Sequence, residues 1–103
     1  MKTDNLIQQK SYAFAVRVVK MCQFLVETKR EFVLSKQVLP SGTSIGANVE
    51  EAIGGQWKAD FVAKMSIAYK EARETSYWLR LFKDTGCLTE VEFVIRNWQF
   101  VAV

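Results

Sequence analysis

Phe61, Met65, Ala68, Ala72, Thr75, Leu79 and Phe82 follow one another in alternating steps of four and three residues. A helix turns once in about 3.6 residues, so this spacing draws one continuous seam down a single helix. Three unbroken cycles of it belong to a helix packed along its length against near-parallel neighbours. The expected fold is therefore all-α, an up-down antiparallel four-helix bundle. It forms a single domain over 1–103, with helices at about 6–29, 32–53, 58–85 and 89–102.

The first helix carries Phe14, Val18, Met21 and Leu25 on its inner face, extended by Ile7, with Thr3 or Asp4 as cap. Lys10, Arg17 and Lys20 fall on another side and are expected in water. Lys29-Arg30-Glu31 is a short charged connection, so helices one and two should be antiparallel neighbours. Leu34, Val38, Gly42, Ile45, Val49 and Ile53 mark the second helix and keep their phase through Pro40. A kink near Val38–Pro40 is expected rather than two helices. The small residues Ser41, Gly42, Thr43, Ser44, Gly46 and Ala47 let another helix approach closely. They lack the lysine of a phosphate-binding glycine loop. Gly54-Gly55 should close helix two through the left-handed conformation, and Gly86 should stop helix three. Thr89 and Glu92 fit a capping box opening a fourth helix, which ends in an apolar FVAV.

A second stripe on helix three, Ile67, Glu71, Glu74, Trp78 and Leu81, makes its apolar arc too wide for one monomer core. Half the residues are hydrophobic and 13% aromatic, and a chain this short hides only part of its surface alone. Self-association is the expected outlet. No basic start leads into an uninterrupted apolar run, and no stretch approaches the roughly 20 residues of a membrane span. A cytoplasmic protein is expected, with Cys22 and Cys87 as reduced packing residues.

The chain has no histidine. Ser41, Ser44, Ser66 and Ser76 therefore lack a histidine base, and neither cysteine has an evident activating neighbour. A ferritin-like di-iron centre needs Glu-x-x-His on two helices. Glu50, Glu51, Glu71 and Glu74 are better read as structural carboxylates paired with cations or with Asn48, Tyr or Trp donors. Glu74→Ala should then loosen the fold. No catalytic residue, metal or cofactor is expected. Residues 1–40 hold seven Lys/Arg against three acidic residues, whereas the remainder is slightly acidic. Lys10, Arg17, Lys20, Lys29, Arg30 and Lys36 are the candidate nucleic-acid contacts. No aromatic is expected to offer base stacking beside them, so any binding should tolerate sequence.

Gln37, the run Ser44-Ile45-Gly46-Ala47-Asn48 with Glu51, and Lys58-x-Asp60-Phe61 form one set of marks. Ser66-Ile67-Ala68, Glu71 and Glu74 complete it. On these the chain resembles the bacterial four helix bundle proteins, also called 23S rRNA intervening-sequence proteins, from the first helix to about Glu92. The resemblance implies a non-enzymatic homo-oligomer, a pentamer. It also implies a fold similar to the accessory protein of diversity-generating retroelements, which binds nucleic acid and a reverse transcriptase. Gln37, Ser44, Asn48, Glu51, Asp60, Phe61, Glu71 and Glu74 are then structural. The sequence departs from the family at Pro40, where a basic residue is typical, and at Trp57, where serine would cap helix three. Its fourth helix is also shorter. The expected function is sequence-tolerant nucleic-acid binding or an adaptor role, with a homo-oligomeric protein-binding scaffold as the alternative.

Overall fold

The computed structural model describes residues 2–89, 91 and 92, with side chains from residue 6 onward. Three helices make up nearly all of it: α1 (Lys2–Glu27), α2 (Ser35–Ile53) and α3 (Lys58–Asp84). No strand occurs among the described residues. The expected fourth helix lies outside the described residues except for its start. There Thr89 N–H donates to Glu92 Oε1 (2.8 Å), and Glu92 N–H donates to Thr89 Oγ1 (3.1 Å). This is the reciprocal capping box that the spacing predicts.

Both ends of α1 differ from expectation. The helix begins by Lys2, so Thr3 and Asp4 lie within it rather than ahead of it. It stops at Glu27, two residues early. Beyond it Arg30 takes a left-handed φ of 55° and Glu31 N–H returns to the Leu25 carbonyl at 2.9 Å. The start of α2 moves from residue 32 to Ser35. One carboxylate explains the shift. Glu31 accepts from Val33, Leu34 and Ser35 N–H at 2.9–3.1 Å, taking three donors that a new helix leaves unpaired.

α2 passes through Pro40 without a break. Its end is not the left-handed turn expected. Gly54 keeps a right-handed φ of −79°, and among the glycines only Gly86, after α3, has positive φ (75°). Trp57 stands at the N-cap of α3 with no side-chain capping bond, and Asp60 supplies the only acid in the first turn.

The two glycines of the small-residue run set the α1–α2 distance. A Cβ on Gly42 would sit 2.7 Å from Val18 Cγ1, and one on Gly46 would sit 3.2 Å from the Ser11 carbonyl oxygen. The order of these pairs makes α1 and α2 antiparallel. Across α2, Ser41 Oγ lies 3.0 Å from Thr75 Oγ1, which lies 2.7 Å from the Glu71 carbonyl. Lys64 Nζ pairs with Glu51 at 2.6 Å, so α2 and α3 are antiparallel too. Phe14, Val18, Met21, Leu25, Val38, Leu79 and Phe82 fill the core, joined by Cys22 and by Leu88 beyond α3. Ile7 is not among them. It is 37% exposed, because the core of α1 begins a turn later at Ser11 and Phe14.

Candidate functional site

α2 packs against both other helices, while α1 and α3 leave a groove between them that encloses about 860 Å³. Its floor is apolar, from Phe14, Ile45, Val49, Met65, Ala68 and Ala72. Its polar character comes from Lys10 and Arg17 on α1, from Arg73 and Arg80 on α3, and from Tyr69, Ser11 and Ser76; among the described residues no carboxylate lines it. Like charges repel, so four cations around one groove with no acid among them favour an anionic occupant.

Each cation owes its place to helical spacing. Lys10 and Arg17 are seven apart, two turns of α1, as are Arg73 and Arg80 on α3. Arg17 was expected in water and is instead half-buried, its guanidinium carbon 5.4 Å from the Phe14 ring centroid. Its Nε is buried without a hydrogen-bond partner among the described residues. An unsatisfied buried donor costs about 1–3 kcal/mol.

The other expected contacts scatter. Lys20 borders a separate shallow depression with Tyr12, Val16 and Val19. Lys29 pairs with Glu92 at 3.1 Å and lies 5.9 Å from the Phe24 ring centroid. That pair ties the end of α1 to the start of the C-terminal segment. The Glu92 carboxyl is held below its usual range, first by the Thr89 N–H and then by Lys29. Arg30 sits exposed in the α1–α2 turn and Lys36 exposed in the first turn of α2.

The α3 contribution to this surface was not anticipated, nor were its aromatics. Tyr69, Arg73, Tyr77 and Arg80 fall at steps of four, four and three, one face of the helix. Arg73 lies 5.9 Å from the Tyr69 ring centroid, and its Nη1 donates to the tyrosine oxygen at 3.3 Å; Arg80 lies 5.9 Å from Tyr77. Of the exposed rings, Tyr69 on α3 is the one that lines the groove. The spacing on α3 was visible in the sequence. It was masked by the near-neutral charge of that half.

The family-marking residues differ in their surroundings. Ser44 donates to the Ser41 carbonyl, Asn48 to the Ser44 carbonyl, and Glu51 pairs with Lys64. Gln37 and Asp60 are exposed, and Phe61 is 36% exposed at the end of its stripe. Glu71 is half-buried. Glu74 is exposed and accepts from Trp78 Nε1 at 3.1 Å. Within one chain an exposed carboxylate with one bond on its own helix lends little support to the expected loosening of fold or assembly by Glu74→Ala. Cys22 is buried and Cys87 half-buried, both as free thiols. Burial first, and Glu31 second, push the Cys22 thiol up to about 11. It stays protonated and inert near neutral pH. No described helix is long and apolar enough to cross a membrane.

Comparison with known proteins agrees with the resemblance read from the motifs. The family model described as 23S rRNA-intervening sequence protein matches residues 3–97. A crystal structure of a protein of unknown function from the S23 ribosomal protein family of Bacteroides thetaiotaomicron VPI-5482 is 52% identical. It superposes with a TM-score of 0.86 over 94% of this chain and 86% of that one. No curated protein matches.

Proposed function

Since the chain belongs to the 23S rRNA-intervening sequence protein family, we propose that it is a non-enzymatic, homo-oligomeric protein that binds nucleic acid with little regard for sequence. The observation that carries this reading is the gathering of Lys10, Arg17, Arg73 and Arg80 along the facing sides of α1 and α3, with no carboxylate among the described residues there. Phosphates neutralised there release counterions, which gives affinity without base readout. In this reading the segment after Glu92 continues as a fourth helix over the apolar floor between α1 and α3, leaving the exposed Lys10, Arg73 and Arg80 along its edges, and several bundles join, five by family likeness. A net charge of +3 per chain becomes about +15 in a pentamer, enough to concentrate a polyanion.

Exposed apolar residues support association. Tyr12, Val16 and Val19 recur in steps of four and three on a face of α1 away from the core, and Ile67 on α3 is 40% exposed. The same observation supports the second reading, a homo-oligomeric scaffold for another protein. Fluorescence anisotropy with labelled RNA and duplex DNA, at low and near-physiological salt, separates the two. Nucleic-acid binding gives micromolar or tighter affinity that falls steeply with salt, and Lys10→Ala or Arg17→Ala lowers the slope by about 1. Absence of binding at low salt sinks this reading and leaves the scaffold.

A further inference from the structure

Two stripes of the molecule stay apolar outside the groove. On α1, every exposed position from Ser11 to Val19 is uncharged, namely Tyr12, Ala13, Val16 and Val19. A helix face that meets only water carries charged and polar residues instead. Tyr12, Val16 and Val19 border a shallow depression of about 330 Å³ with Ala15, Lys20 and Gln23, and among the described residues no acid lines it. Such residues, three and four apart on one helix, form the hole that receives a side chain of a facing helix. On α3, Ile67 is 40% exposed and belongs to the stripe with Glu71, Glu74, Trp78 and Leu81 that is too wide for one core. Neither Ile67 nor Tyr12, Val16 and Val19 line the groove between α1 and α3. A helix laid over that groove therefore leaves both stripes open.

We propose that the two stripes meet across copies of this chain. The α1 stripe of one copy packs on the α3 stripe of the next, with Ile67 seated in the depression between Tyr12, Val16 and Val19. This inference rests on the homo-oligomer reading above and names the faces that join. Charge identifies the partner. Lys20 is the cation at the edge of the depression. Asp60 and Glu74, both exposed, stand seven residues before and after Ile67, on its side of α3 and about 10 Å toward either end. Whichever way the helices run, an acid comes to the end of the contact where Lys20 lies. On that side of α3, Asp60, Glu71 and Glu74 outweigh Lys70, and Lys64 is already taken by Glu51. Packed on itself, the α1 stripe would bring two Lys20 side chains to one contact with no acid bordering it. Each stripe thus fits the other better than its own copy. Such a contact is heterologous, and repetition closes it into a ring or extends it as a filament.

The test is the mass of the purified full chain by multi-angle light scattering, with helix content by circular dichroism measured alongside. The parent should have a multiple of the chain mass. Val16→Glu and Ile67→Glu should each reduce it to one chain, with helix content unchanged because both side chains are exposed. Each variant keeps one sound stripe, so an equal mixture of the two should join once and stop at twice the chain mass. Lys20→Glu alters an exposed side chain outside the core. It should weaken association about tenfold, since it sets like charges against each other. If either glutamate variant is silent, or the mixture stays apart, the pairing of these stripes is overturned. The same follows if Lys20→Glu associates as the parent does. In each of those cases an oligomeric parent leaves the homo-oligomer reading standing. A parent with the mass of one chain overturns both.

Discussion

At the scale of single residues, the helix spacing is set where a side chain is missing. Val18 occupies the space that a Cβ on Gly42 would need, at 2.7 Å. Valine has one stiff torsion and cannot swing aside as a long side chain would. Gly42→Ala should therefore destabilise the fold by about 1–3 kcal/mol through overpacking, read as a lower urea midpoint at unchanged slope. Val18→Ala in the same chain should restore part of the loss. Beside this contact, Cys22 supplies a pH dependence. Its thiol ionises near its ordinary 9.0 when unfolded and at about 11 when folded. Between those values the unfolded chain has lost a proton that the folded chain keeps, so stability falls as pH rises through that window. Urea midpoints of the parent and of Cys22→Ala across that range check it: the parent should lose stability from this source and the variant should not.

At the scale of elements, one glutamate does what the sequence assigned to a charged linker. Glu31 accepts three backbone N–H groups at the entrance to α2 and moves that helix start to Ser35. Glu31→Ala should cost about 0.5–2 kcal/mol, visible in the melting temperature, while Glu31→Gln should cost less because its amide oxygen still accepts. Trp57 shows the reverse case. It holds the capping position of α3 without capping it, as its indole dictates, and Trp57→Ser should stabilise the helix start by about 1 kcal/mol. A melting temperature unchanged by that substitution would show that α3 gains nothing from a cap. The capping box at Thr89 and Glu92 was legible from two residue types at the right spacing, because both partners lie within one turn.

At the scale of the whole molecule, the groove between α1 and α3 joins residues more than fifty positions apart in the chain. Lys10 and Arg17 were singled out from the basic N-terminal half, yet half of the cationic rim comes from a segment whose net charge is near zero. Charge summed along a chain hides charge gathered in space. The exposed faces on α1 and α3 bear on the size of the particle. Multi-angle light scattering on the purified protein should give a multiple of the chain mass that holds on tenfold dilution. A mass equal to one chain would end the oligomer proposal, and with it the fivefold gain in charge.

The heptad seam of α3, the stripes of α1 and α2, the stop at Gly86 and the capping box were determined by the sequence alone. Each depends on contacts within a few turns or on a periodicity that any helix imposes. The same is true of the family marks, since the run from Ser44 to Asn48 and the small residues around it encode a close helix approach that is then observed. Only the tertiary structure decided which charged residues share a surface. Arg17 meets Phe14 one turn earlier on the same helix, but the rotation of α1 about its axis was needed to bring it partly out of water. The packing of α2 across both neighbours was needed to bring Arg73 and Arg80, with Tyr69, into one groove with Lys10. A periodic pattern says that a face exists; which face it meets follows from the packing of all three helices at once.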